Sequence, residues 1–250
     1  MAQAPADATA AGARKRRGGR RIWWVSVGLA LFGILPGLAR LLVALAGGDP
    51  AATQAPDTGA SLLLPIVHGV SGTLFAVLGA FQFPTALRRG HRTWHRRTGR
   101  LLLPLGLTAA VSAILLTLFY PHLHDSGPLL AVFRVTFASA LAVSILVAFT
   151  AIRRREIARH REWMIRAYAL SLAAATQIFT LGFGQAIFGE NETSTALLTG
   201  AAFVINLAFA EWVIRRRFNR RPADAATMMV QQRQPNSMSM GMRRSNRGAQ

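Results

Sequence analysis

Six apolar runs separated by short polar gaps fill most of the chain between residues 22 and 214. They cover residues 22–46, 61–83, 101–120, 129–152, 163–188 and 196–214. At the rise of an α-helix each run is about long enough to cross a hydrocarbon core of ~30 Å. Lipid leaves no water to satisfy an open backbone, so runs of this length predict helices. The expected fold class is all-α: a polytopic membrane bundle of six transmembrane helices.

The gaps alternate in charge. The leading segment holds six cationic residues, the gap from Arg88 to Arg100 holds six, and the gap from Arg153 to Arg161 holds five. The other three gaps hold no Lys or Arg and carry Asp49, Asp57, Asp125, Glu190 and Glu192 instead. After Ile214 the basic pattern returns with Arg215, Arg216 and Arg217. The positive-inside bias then puts both termini in the cytoplasm.

Composition narrows the partners. A formal net charge of +19 raises the question of nucleic acid. The Arg residues ring helix ends, however, and do not line a recognition helix or alternate with stacking aromatics, so nucleic acid is excluded. Anionic lipid head groups are the expected partner, met by Arg88, Arg89, Arg92, Arg96, Arg153, Arg154 and Arg155. Cysteine is absent, which rules out disulfides and thiolate chemistry. No phosphate-binding glycine loop, HExxH pair, G-x-S-x-G elbow or metal ligand cluster is present, so the reading leans away from an enzyme and expects no catalytic residues.

The tails carry too few large apolar side chains to form a core. Residues 1–21 and 215–250 read as disordered basic cytoplasmic segments around a transmembrane domain of residues 22–214. The first run ends in Ala44, Leu45 and Ala46, a signal-cleavage pattern, but it exceeds the ~7–15 apolar residues of a signal core, so a retained helix is expected.

Polar residues inside the runs supply the candidate chemistry. His68, Gly72, Ala76 and Ala80 follow one another at i, i+4 and share a face of the second helix. Arg134, Ala138 and Ala142 do the same in the fourth. Small residues let helices approach closely, so both faces are expected to look into the bundle. His68 and Arg134 lie 66 residues apart, and His95 and His160 lie 65 apart. Two parallel-repeat hairpins made of helices two to five are therefore expected as the core. His68 and Arg134 fall on the external side, with His122 and His124 in the adjoining loop. His95 and His160 fall at the basic side, each ahead of its helix and in a dense Arg field. An ionisable residue in a membrane is costly and is a functional candidate by default. The plainer expectation for His68 is a packing hydrogen bond to a carbonyl or to Gln177, and for Arg134 it is snorkelling to head groups.

Three motifs carry a resemblance: His68 through Phe81, Gln82 and Phe83, the run HRRTGR, and the run HREWMIRAYAL. Together they resemble the bacterial membrane family called domain of unknown function 2306. The resemblance implies a multi-pass inner-membrane protein and assigns no reaction. The chain is also similar, more distantly, to b-type di-haem membrane cytochromes, in which four helices supply imidazole ligands. That likeness implies haem b, with His95 and His160 as one ligand pair. An outer haem would use His68 with His122 or His124, because Arg134 stands where a fourth-helix ligand would be wanted.

Three functions remain open on these residues. A non-catalytic membrane component or assembly factor, partnered by another membrane protein or by its own copies, needs the fewest assumptions. A b-type haem or quinone-linked electron-transfer protein would use the histidines, with Arg134 neutralising propionates or polarising a carbonyl. A small-anion transporter would use Arg134 and His68 as its contacts.

Overall fold

The computed structural model describes residue 28 and residues 63–83, 90–119 and 127–233, with side chains described up to residue 216. The whole leading tail, the expected first helix apart from residue 28, and the end of the C-terminal tail lie outside these residues. Two compact units divide the chain, residues 1–208 and 209–250.

The described part of the first unit is helical. In chain order the helices are α1 (Leu63–Ala80), α2 (Arg92–Phe119), α3 (Gly127–Arg153), α4 (Ile157–Ser171), α5 (Ala173–Phe188) and α6 (Glu192–Arg233), the last running on into the second unit. Four described helices are long and apolar enough to cross a membrane, or five if α4 and α5 form one bent span. α6 runs past Ile214, where the tail was expected to begin.

Helices α2 and α4 start earlier than the apolar runs. The HRRTGR segment is the first part of α2, and residues 157–162 open α4. Arg is a good helix former, and a backbone at the head-group level can stay helical without apolar side chains. His95 and His160 are therefore helical residues and do not lie ahead of their helices. The earlier start also puts Pro104 inside α2, where it removes the N–H that would bond the Arg100 carbonyl.

The expected span 163–188 is bent by 41° at Leu172. Neither Pro nor Gly stands there. At the bend, Leu172 N–H bonds the Tyr168 carbonyl at 3.1 Å, and Ala175 N–H turns back to the Leu172 carbonyl at 3.1 Å. Asn206 of α6 donates its amide to the Ala169 carbonyl at 3.1 Å, and its oxygen accepts from the Thr176 hydroxyl at 2.9 Å. A neighbouring side chain thus serves backbone at the kink, as a bent membrane helix requires.

Turn chemistry sets the joints. Arg155 takes φ 63° between α3 and α4, and Glu156 N–H reaches back to the Ala151 carbonyl at 2.9 Å. This is a left-handed helix end filled by Arg where Gly is usual. Before α6, the Asn191 side chain accepts from Ser194 N–H at 2.9 Å while the Ser194 hydroxyl oxygen accepts from Asn191 N–H at 3.1 Å, a reciprocal cap.

Packing closes α1 to α4 into a ring: α1 on α2, α2 on α3, α3 on α4, and α4 back on α1. α1 therefore faces α3 across the ring, and α2 faces α4. One residue from each helix meets in a central layer of Phe75, Leu102, Ile145 and Ala167, all at most 2% exposed. Gly106 admits this layer: a Cβ there would lie 2.5 Å from Ile145 Cδ1 and 2.6 Å from Phe75 Cε2. Gly79 does the same for Tyr168, whose ring would lie 2.9 Å from an added Cβ and whose hydroxyl donates to the Ala76 carbonyl at 3.1 Å.

Candidate functional site

The central layer serves as a ruler. Seven residues along a helix are about two turns and ~10 Å, and they return to nearly the same face. Seven residues from Leu102 is His95, and seven from Ala167 is His160, both toward the ends rich in Arg. Seven residues from Phe75 in the same direction is Gln82, in the turn that closes α1, where its N–H bonds the Gly79 carbonyl at 2.9 Å. Seven residues the other way from Phe75 is His68, and seven from Leu102 is Ala109.

These positions explain the hydrogen bonds. His68 Nδ1 donates to the Ala109 carbonyl oxygen on α2 at 3.0 Å. Ser112 Oγ lies 3.1 Å from the same nitrogen, and its own hydroxyl donates to the Thr108 carbonyl at 2.6 Å. A carbonyl only accepts, so the proton is on Nδ1 and neutral imidazole keeps its lone pair on Nε2. His160 repeats the arrangement at the basic end: Nδ1 donates to the Ala148 carbonyl on α3 at 2.8 Å. Two imidazoles are thus each tied by one nitrogen to a neighbouring helix, with Nε2 left available.

At the basic level stand two helical histidines and one glutamine in the turn after α1. His95 on α2 and His160 on α4 are half-buried and lie across the ring from each other, on the stripes that carry Leu102 and Ala167. Gln82 lies in the turn after α1. Its Nε2 and Oε1 are buried and have no hydrogen-bond partner. Phe83 next to it packs on Tyr168, with ring centroids 4.8 Å apart. Burying an amide without partners costs about 1–3 kcal/mol for each unsatisfied group, so this level is built for a further polar contact.

The Arg collar surrounds that level. Arg92, Arg96, Arg153, Arg154 and Arg155 are exposed, and the Arg153 guanidinium stands 5.9 Å over the Phe149 ring. Arg88 and Arg89 lie outside the described residues.

At the opposite end, Arg134 is half-buried on α3, eleven residues from Ile145 and so on the same inward stripe as Ala138. His68 and Arg134 are brought to facing helices at one end of the ring, and His95 and His160 to facing helices at the other. His122 and His124 lie outside the described residues. Among the described residues no group of three or more His, Asp or Glu side chains could hold a bare metal ion.

A family described as a predicted membrane protein, domain of unknown function 2306, matches residues 66–214. The chain belongs to this family. The match begins just before His68 and ends at Ile214, so it takes in all of the ring but the first three residues of α1. No curated protein and no solved structure matches the chain.

Three contributors escaped the sequence reading. Gln82 lies within the first of the three motifs, where an amide carries no chemical signature of its own. Ser112 and Asn206 are polar residues within apolar runs, and that interruption was the signal available for both.

Proposed function

We propose that this protein is an inner-membrane electron-transfer component that binds one haem b at its basic level, where the imidazoles of His95 and His160 are the residues that would hold it. The observation that carries the reading is the His160 hydrogen bond to the Ala148 carbonyl at 2.8 Å. An imidazole that ligates a metal is usually fixed through its other nitrogen by such an acceptor, which sets both tautomer and ring orientation.

Further support is geometric. A second imidazole stands across the ring at the same distance from the central layer, on a helix that is not its neighbour, as a planar group held between two helices requires. The orphaned Gln82 amide fits the polar edge of a porphyrin, and Arg92 and Arg96 are on hand for its carboxylates. Bound haem would supply one-electron chemistry, tuned by the imidazoles and by local charge. The chain's own part is to hold two neutral imidazoles, fix one by a backbone carbonyl, and shut the core side with Phe75, Leu102, Ile145 and Ala167.

The same test applied to the opposite end gives a different answer. His68 is fixed in the same way, but Arg134 stands across from it where a second imidazole is needed. One haem is therefore proposed, not two. The hairpins α1–α2 and α3–α4 would be parallel repeats, with the basic ends and both termini in the cytoplasm.

The test is the oxidised and dithionite-reduced visible spectrum of the purified protein produced with ample haem. A Soret band that is lost in His95→Ala and in His160→Ala but kept in His68→Ala supports the pair. Absence of the band from the wild type overturns the reading and leaves a bundle whose histidines only tie helices together, the role of a non-catalytic membrane component.

A further inference from the structure

Arg134 and His68 remain outside the haem reading. The geometry points to a binding site for a protonated tetrahedral oxyanion, of the hydrogen phosphate class, between these two side chains at the end of the ring away from the Arg collar.

Arg134 shares the inward stripe of Ile145 and Ala138 and makes no ion pair or hydrogen bond with the described residues. The described acids of the first unit are Glu156, Glu162, Glu190 and Glu192, and none is on the inward stripes of α1 to α3. A guanidinium inside a span needs a counter-charge or a wet cavity. Its planar fork takes two oxygens of one oxyanion at once.

His68 decides which oxyanion. Its Nδ1–H is committed to the Ala109 carbonyl, so Nε2 on the far side of the ring is an acceptor. A ligand that bridges both groups must present two bare oxygens to Arg134 and donate a hydrogen bond to His68. A carboxylate has no third oxygen, and sulfate has no hydroxyl at neutral pH. Hydrogen phosphate has both; hydrogen carbonate also does, and its competition with labelled phosphate in the dialysis tells the two apart. Along their helices His68 is ~10 Å and Arg134 ~16 Å from the central layer, so the ligand would bridge two levels ~6 Å apart. Between them and the floor lie Gly72 on α1 and Ala138 on α3, with Leu141 packed on the floor itself.

The test uses the full chain in phosphatidylcholine nanodiscs at fixed ionic strength, with sodium phosphate, sodium sulfate and sodium chloride as probes. Binding is read by equilibrium dialysis of labelled phosphate and by the thermal midpoint. The expected result is saturable phosphate binding with a midpoint that rises with the logarithm of phosphate concentration, while sulfate and chloride give no such rise. Arg134→Lys keeps the charge without the fork and should weaken phosphate about tenfold or more. This variant keeps the proposal testable if Arg134→Ala does not fold. Sulfate binding as tight as phosphate, unchanged affinity in Arg134→Lys, or no saturable binding would each overturn the site. None of these outcomes depends on the haem spectrum.

Discussion

Asn206 holds the bend of its neighbour: its amide donates to the Ala169 carbonyl at 3.1 Å, one turn before the bend at Leu172. Its carbonyl oxygen accepts from Thr176 at 2.9 Å, one turn after. One side chain thus bridges the two halves of a bent span. Removing it should free a backbone carbonyl in a setting with no water. Asn206→Leu is expected to cost about 1–2 kcal/mol, given about 0.6–1.7 kcal/mol for hydrogen bonds between membrane helices. Asn206→Asp keeps the acceptor for Thr176 and loses the donor to Ala169, so it should not restore stability. Detergent unfolding of the three proteins checks this, and equal stability of wild type and Asn206→Leu would show that the bend needs no clamp.

The central layer makes a sharper steric prediction. Gly106→Ala puts a methyl group 2.5 Å from Ile145 Cδ1 and 2.6 Å from Phe75 Cε2. Overpacking of this kind costs about 1–3 kcal/mol. Ile145→Val deletes Cδ1 itself, so the pair Gly106→Ala with Ile145→Val should be more stable than the sum of the single changes. Gly182→Ala serves as control, because nothing lies within 4 Å of a Cβ there. A double-mutant cycle in the unfolding free energy gives the coupling, and strictly additive effects would mean that α2 and α3 do not meet at this layer.

The joint between α3 and α4 offers a change in the other direction. Arg155 sits at φ 63°, where an L side chain is strained by roughly 1–2 kcal/mol. Arg155→Gly should relieve that strain at some cost in unfolded-chain entropy, for a net gain of up to about 1 kcal/mol. Arg155→Val should lose stability instead. Thermal midpoints ranked Gly, Arg, Val would bear this out, and a Gly variant below wild type would contradict it.

The fold was more legible than the site, for physical reasons that particular residues show. Hydropathy reports what lipid will accept, so the runs at 61–83 and 129–152 fall within a few residues of α1 and α3. It says nothing of helix that lies at the head groups, and so the starts of α2 and α4 were placed too late. That error mattered, because it put His95 and His160 in a loop collar when they lie on the core-facing stripes of helices. The i, i+4 stripe beneath His68 was readable, and the structure buries Ala76 and Ala80 there. The bend at Leu172 was not readable, since no Pro or Gly marks it and the side chain that bridges it is on another helix. The hydrogen bond from His160 to Ala148 was equally hidden, because backbone carbonyls leave no trace in a sequence.

The orientation proposed from charge can be tested by cysteine labelling, because the chain contains no cysteine. Single cysteines at Arg96 and Arg159 mark the basic end of the ring, and one at Thr193 marks the opposite end; all three side chains are exposed. Each of the first two replaces only one charge in a large collar, so the positive-inside balance should hold. With both termini in the cytoplasm, a membrane-impermeant maleimide added to whole spheroplasts should label Thr193→Cys at once. Arg96→Cys and Arg159→Cys should react only after the membrane is opened. Labelling of all three from outside would mean that the ring does not span the bilayer. The reverse pattern would turn the molecule over, moving the level of His95 and His160 to the external face and the His68–Arg134 pair to the cytoplasmic one.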